Sequence, residues 1–224
     1  MQFNFDLSLF LLIFATKLTI MNISKSIQSK IKRLKPGSVF FPADFSGAES
    51  SRSIHKTLER LVKSGAIIRL SNGVYYYPQI DEKYGLGIIY PSYEEVAKRI
   101  SERDKLRIVY SGAYASNYLG FSTQVPMNLV YLTDGNSKIV KMSNGYTIKF
   151  IHTAPKNLAY KNKIIQMIVL ALKDIGENNL KPEHERKICS LLENIPFEQI
   201  SDDLVLMPSW IKNLIIKQYE QKVL

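Results

Sequence analysis

Apolar residues recur at Ile23, Ile27, Ile31 and Leu34, the spacing of one helix face, while Lys25, Lys30, Lys32 and Arg33 occupy the other faces. Pro36-Gly37 predicts the stop of this helix. The short apolar run "SVFF" follows, then "PADFSG", which reads as a very short second helix opened by Pro42 and ended by Gly47. Ser50 or Ser51 offers the cap of a third helix running to about Ser64. On a wheel of about 100° per residue, Ile54, Leu58, Leu61 and Val62 of that helix share one side. Arg52, His55, Lys56, Glu59 and Lys63 share the opposite side. Gly65 closes it. "AIIRL" and "VYYYP" then flank Ser71-Asn72-Gly73, and Asn-Gly between strand-like runs predicts a hairpin, with both turn positions at positive φ. Tyr75, Tyr76 and Tyr77 are expected to alternate between core and surface.

Helix, short helix, longer helix and hairpin, in that order, predict a winged helix-turn-helix over residues 21–80. A helix of this width fits the major groove, where its first residues reach base edges. Ser51, Arg52, Ser53, His55, Lys56, Lys63, Arg69 and Asn72 are the candidate DNA contacts, the last two from the hairpin. Arg52 pairs well with a guanine edge, whereas the lysines serve phosphate. A basic helix face is also what a solvated surface looks like, and a winged helix can serve as a protein-interaction module without DNA binding. That second reading is open.

Residues 81–90, "DEKYGLGIIY", read as a linker. The rest, 91–224, alternates types: a helix "PSYEEVAKRISERD" capped by Ser92, a strand "LRIVY", a short helix "AYASNYLG" capped by Ser111, strands "NLVYLT", "KIVKM" and "YTIKFIH", a long apolar helix from Leu158 to Ile175, and helices near 182–194 and 208–222. The fold class is therefore α+β, a winged helix-turn-helix followed by a mixed α/β domain.

Charge sharpens this division. The chain of 224 residues carries a net charge of +10. From Met21 to Ile80 ten Lys and Arg stand against three Asp and Glu, while residues 81–224 hold nineteen against sixteen. Most of the positive excess lies in the first unit, which favours a polyanionic partner. One cysteine, Cys189, allows no internal disulfide and fits the reducing cytoplasm. His55, His152 and His184 are scattered, so no metal site is expected. There is no P-loop, dinucleotide fingerprint, zincin pair or nucleophile elbow. Asp134 has no second carboxylate beside it and reads as the first residue of a turn; Gly112 and Gly120 read as turn and helix-end glycines. No catalytic residue, cofactor or enzymatic activity is expected.

The first twenty residues hold an apolar run, Leu7–Ala15, preceded by Asp6 in place of a basic region and too short to span a bilayer comfortably. Three readings are open: an upstream start with Met21 as the natural first residue, an apolar segment packed on the body or a partner, or a weak membrane anchor.

"IHKTLERLVKSGAIIRLSNGVYYYP" together with "SGAYASNYLGFSTQVPMNLVYLTDG" resembles the AbiEi-type antitoxin family of bacterial type IV toxin–antitoxin systems, over about residues 22–180. The second stretch, with its "STQVP" and "YLTDG", is the more specific. The resemblance implies an N-terminal winged helix on promoter inverted repeats, repression of the operon, and a C-terminal domain that counteracts a nucleotidyltransferase-like toxin. The apolar extension is not part of that pattern, which supports Met21 as the start. The expected partners are double-stranded DNA, the cognate toxin in function, and a second copy on an adjacent half-site, with no membrane involved.

Overall fold

The computed structural model describes residues 24–47 and 50–223, together with Leu9. The apolar stretch 1–20, apart from Leu9, lies outside the described residues, and so do the three readings of it. The described residues up to Arg99, with Lys141–Gly145, form one unit, and Ile100–Val140 with the remainder from Tyr146 form the second.

In the first unit, residues 24–33 form helix α1, which buries Ile27 and Ile31 and leaves Lys25, Lys30, Lys32 and Arg33 in water. Strand β1, Val39–Phe40, leads into a single 3-10 turn, Pro42–Phe45, in place of a second α-helix. The Asp44 carboxylate accepts from the Phe41 backbone N–H at 2.8 Å, and Phe45 packs edge-on against Phe40. Helix α2 is Ser51–Lys63, and β2 (Ile68–Ser71) and β3 (Val74–Tyr76) follow it as a hairpin. The sheet order is β1-β3-β2, antiparallel throughout. Ile27, Ile31, Phe40, Ile54, Leu58 and Tyr75 meet in one core. Because β3 is central, Tyr75 and Tyr76 are both buried, against the expected alternation. Tyr75 stacks on Phe40, and the Tyr76 hydroxyl donates to the Ile89 carbonyl.

Residues expected as a linker are not extended chain. They form a second hairpin, β4 (Gln79–Asp81) with β5 (Gly87–Ile89), in register Ile80 to Ile88. Gly85 and Gly87 both take positive φ, +69° and +74°, which is the conformation that lets the chain reverse here. The two glycines of the expected linker build a turn.

Helix α3 (Tyr93–Asp104) begins in the first unit and ends in the second, which then holds β6 (Ile108–Tyr110), α4 (Gly112–Tyr118), β7 (Leu129–Thr133), most of β8 (Lys138–Lys141) and β9 (Thr147–His152). Its sheet order is β6-β7-β9-β8, with β7 and β9 parallel. Helix α5 is Lys163–Ile175, not Leu158–Ile175: Pro155–Leu158 is a separate 3-10 turn, and Asn162 caps α5 by accepting from the N–H groups of Ile164 and Ile165. Its Ile165, Ile168, Val169 and Leu172 are fully buried, and α6 (Pro182–Leu192) and α7 (Ser209–Val223) contribute Ile188, Ile211 and Ile215 to the same core.

Gly112 has a packing role beyond ending a turn. A Cβ there would stand 2.6 Å from both the Leu170 carbonyl oxygen and the Asp174 Cβ, so α4 crosses α5 at a distance only glycine allows. Gly112→Ala is expected to cost about 1–3 kcal/mol, read as a lower midpoint in thermal unfolding.

Candidate nucleic-acid interface

Helix α2 is set by its cap and its oily face. Ser50, the first of the two serines, is the N-cap: its hydroxyl accepts from the Ser53 N–H at 3.3 Å and contacts the Ser53 hydroxyl at 2.9 Å. Ile54 and Leu58 point into the core, and Leu61 and Val62 pack on its rim. That fixes the rotation of the helix, and Ser51, Arg52, His55, Lys56, Glu59 and Lys63 emerge exposed while Ser53 is half-buried. Arg60, which the wheel places beside Lys56, is exposed too, and its i+4 spacing from Lys56 was the signal available for it.

The cations differ in how committed they are. Lys63 lies 3.2 Å from Glu59, with both side chains largely in water. Such an i,i+4 pair is worth roughly 0.3–0.5 kcal/mol and yields easily to a stronger anion. Arg52, Lys56 and Arg60 form no ion pair with a described residue. Glu59 therefore neutralises the C-terminal end of the face and leaves its N-terminal two turns cationic.

Arg69 and Asn72 meet at the hairpin tip. The Arg69 guanidinium donates to Asn72 Oδ1 at 2.6 Å and, through Nε, to the Ser71 carbonyl at 3.4 Å. Both residues remain exposed, so the arginine is held in place with donors to spare. The turn differs from the one expected: only Gly73 takes positive φ, +69°, and the pairing slips between Arg69 and Ser71. Leu70 is the residue skipped. Its carbonyl accepts from the Ser143 N–H, and the Ser71 hydroxyl donates to the Lys141 carbonyl, so residues 141–145 line the free edge of β2.

One polar group on α2 has no use for its surroundings. Thr57 is buried and its hydroxyl lacks a hydrogen-bond partner among the described residues. Thr57→Val is expected to leave the exposed face unchanged and to raise stability by about 1 kcal/mol, seen as a higher melting midpoint.

In the second unit, the "YSGAYASNYLG" stretch builds a ladder of rings. Tyr118 stacks on Tyr114, Tyr114 on Tyr110 at 4.1 Å between centroids, Tyr110 on Tyr131, and Tyr131 on Phe150. Helical i,i+4 spacing supplies Tyr114 and Tyr118, Tyr110 is the last residue of β6, and strand pairing brings in Tyr131 and Phe150. Gln124-Val125-Pro126 is a loop before β7, its start held by the Ser122 hydroxyl, which accepts from the Gln124 N–H. Asp134 is tied to Arg107, whose backbone N–H and Nε donate to its carboxylate at 2.9 and 2.8 Å; this holds the carboxyl below its usual range. His184 accepts from the Lys181 N–H at the start of α6. Among the described residues no cluster of three His, Cys, Asp or Glu side chains could hold a metal ion, and no helix is long and apolar enough to cross a membrane.

Fold and surface together define a mixed α+β protein that presents a capped cationic helix beside an arginine-bearing hairpin. The model "Family of unknown function (DUF6088)" matches residues 26–200, and the chain belongs to that family. The crystal structure of the RV2827C protein from Mycobacterium tuberculosis is similar over 88% of this chain and 77% of that one, at 13% identity and a TM-score of 0.46. The comparison with curated proteins produced no match.

Proposed function

We propose that this chain is a winged helix-turn-helix transcriptional repressor and the antitoxin of a bacterial type IV toxin–antitoxin system, working in the cytoplasm. Helix α2 is the reading helix, β2–β3 is the wing, and promoter inverted repeats are the target. The observation that carries the reading is the cationic face of α2: Arg52 and Lys56 in its N-terminal half, and Arg60 in its last turn, are exposed and make no ion pair with a described residue. Reading helices meet base edges with that half. Their charge releases counterions from the phosphate backbone, and the wing arginine adds a contact alongside. The antitoxin assignment leans on the resemblance of the "SGAYASNYLGFSTQVPMNLVYLTDG" stretch and on the toxin such systems counteract. No catalytic step is assigned to the chain.

Binding of the full chain to its own promoter, measured over a series of salt concentrations, tests the DNA half. Affinity should fall linearly in log–log form, with a slope of several phosphate contacts, and should exceed that for scrambled DNA by about 1,000-fold or more. Binding indifferent to both salt and sequence would sink it.

A further inference from the structure

We infer that the β4–β5 hairpin is the surface through which two copies of this chain pair. The choice of a second copy rests on the DNA-reading proposal above; the surface itself stands on geometry alone. Ile80, Tyr84, Leu86, Ile88, Ile89 and Tyr90 are each 41–74% exposed, all within eleven residues of sequence. Ile88 and Ile89 are neighbours on one strand, so they face opposite sides of the hairpin, and apolar surface covers both faces. Summed over both faces, the exposed area of these six side chains is on the order of 700 Å², close to one partner's share of a standard interface.

The hairpin is a built element. The Asp81 carboxylate accepts from the N–H groups of Lys83 and Tyr84, closing the tip. At its base the Tyr76 hydroxyl bonds to the Ile89 carbonyl, and the Tyr76 and Tyr90 rings stack. Yet its sheet has only two strands, and two strands alone are marginal in water. A rigidly rooted, two-stranded, oily hairpin is half of an interface.

A second copy fits it. The tip carries both signs, Asp81 and Glu82 next to Lys83, so a two-fold axis through the hairpin brings acid of one copy toward base of the other. The hairpin belongs to the same unit as α2, so joining hairpins joins two reading helices under the symmetry that an inverted repeat demands.

Sedimentation of the full chain without DNA, from roughly 1 to 100 μM, tests the pairing. The wild type should dimerise, and Tyr84→Glu with Leu86→Glu should weaken the dimer at least about 100-fold, because like charges then meet across the axis. Ile80→Ser with Leu86→Ser, a milder change, serves should the acidic variant fail to fold. Half-site DNA affinity should match wild type, while affinity for the full repeat drops about 10-fold or more. A wild type monomeric throughout, or a dimer unmoved by both variants, overturns the inference. So does a monomer whose variants lose a co-expressed toxin instead. Dimer loss in a chain that binds no DNA leaves pairing intact and removes the DNA reading.

Discussion

Arg52→Ala combined with Lys56→Ala is expected to lower affinity for promoter DNA by about 30- to 20,000-fold, since each base or phosphate contact from such a side chain is worth about 1–3 kcal/mol. The two residues should fail in different ways. Arg52 lies in the first turn of α2, where base edges are read, so Arg52→Ala should relax the preference for one base pair while leaving the salt slope nearly intact. Lys56 is one turn on and suits a phosphate, so Lys56→Ala should weaken all sequences alike and flatten the slope by about 0.9. Lys63→Ala should matter least, because Glu59 already neutralises that end of the helix. Both residues of the double variant are exposed and outside the core, so the melting midpoint should not move; a midpoint that falls with affinity would mean that folding, not contact, was lost. Unchanged promoter binding in the double variant would refute the reading-helix assignment.

The largest expected effect on stability lies in the second unit. Asp203→Ala should destabilise by about 3–5 kcal/mol, because it leaves buried donors unsatisfied. Asp203 is only 1% exposed, and its two oxygens accept from the backbone N–H groups of Lys161 at 2.8 Å and Asn162 at 2.9 Å. Asn162 in turn caps α5, the helix at the centre of this unit's core. Loss of the carboxylate therefore strips two donors and loosens the cap behind them. The residue also shapes its neighbour: burial first, and then the charge of Asp203, push the Tyr160 hydroxyl up to about 12. Asp203→Asn keeps one acceptor and should lose about half as much. Thermal or urea unfolding followed by a probe in the second unit reads both. Equal midpoints for wild type and Asp203→Ala would show that solvent reaches these N–H groups.

The site was more legible than the packing around it. The i,i+3,i+4 pattern of Ile54, Leu58 and Leu61 sufficed to orient α2, because a helix has only one way to bury one stripe, and the charged residues are then exposed by default. Arg60 sits at the margin of that arc, so the wheel alone does not single it out. The hairpin tip is legible from Asn72-Gly73, but its turn geometry is not, since Asn72 keeps ordinary φ and the slip at Leu70 is absorbed by residues 141–145, seventy positions away. Asp203 offered no local signal at all. An aspartate in "SDDLVL" looks like any polar residue until the chain brings Lys161 and Asn162 to it.

From sequence alone came the periodicities, and with them the longer helices, the hairpin around Asn72-Gly73, the cationic face and the concentration of charge in the first unit. These depend on interactions within a few residues, where spacing and propensity suffice. Tertiary structure alone decided that 79–89 is an oily hairpin rather than a linker, that both Tyr75 and Tyr76 are buried, and that Gly112 marks a close helix crossing. Each of those outcomes depends on which distant segment arrives, and local pattern carries no record of that.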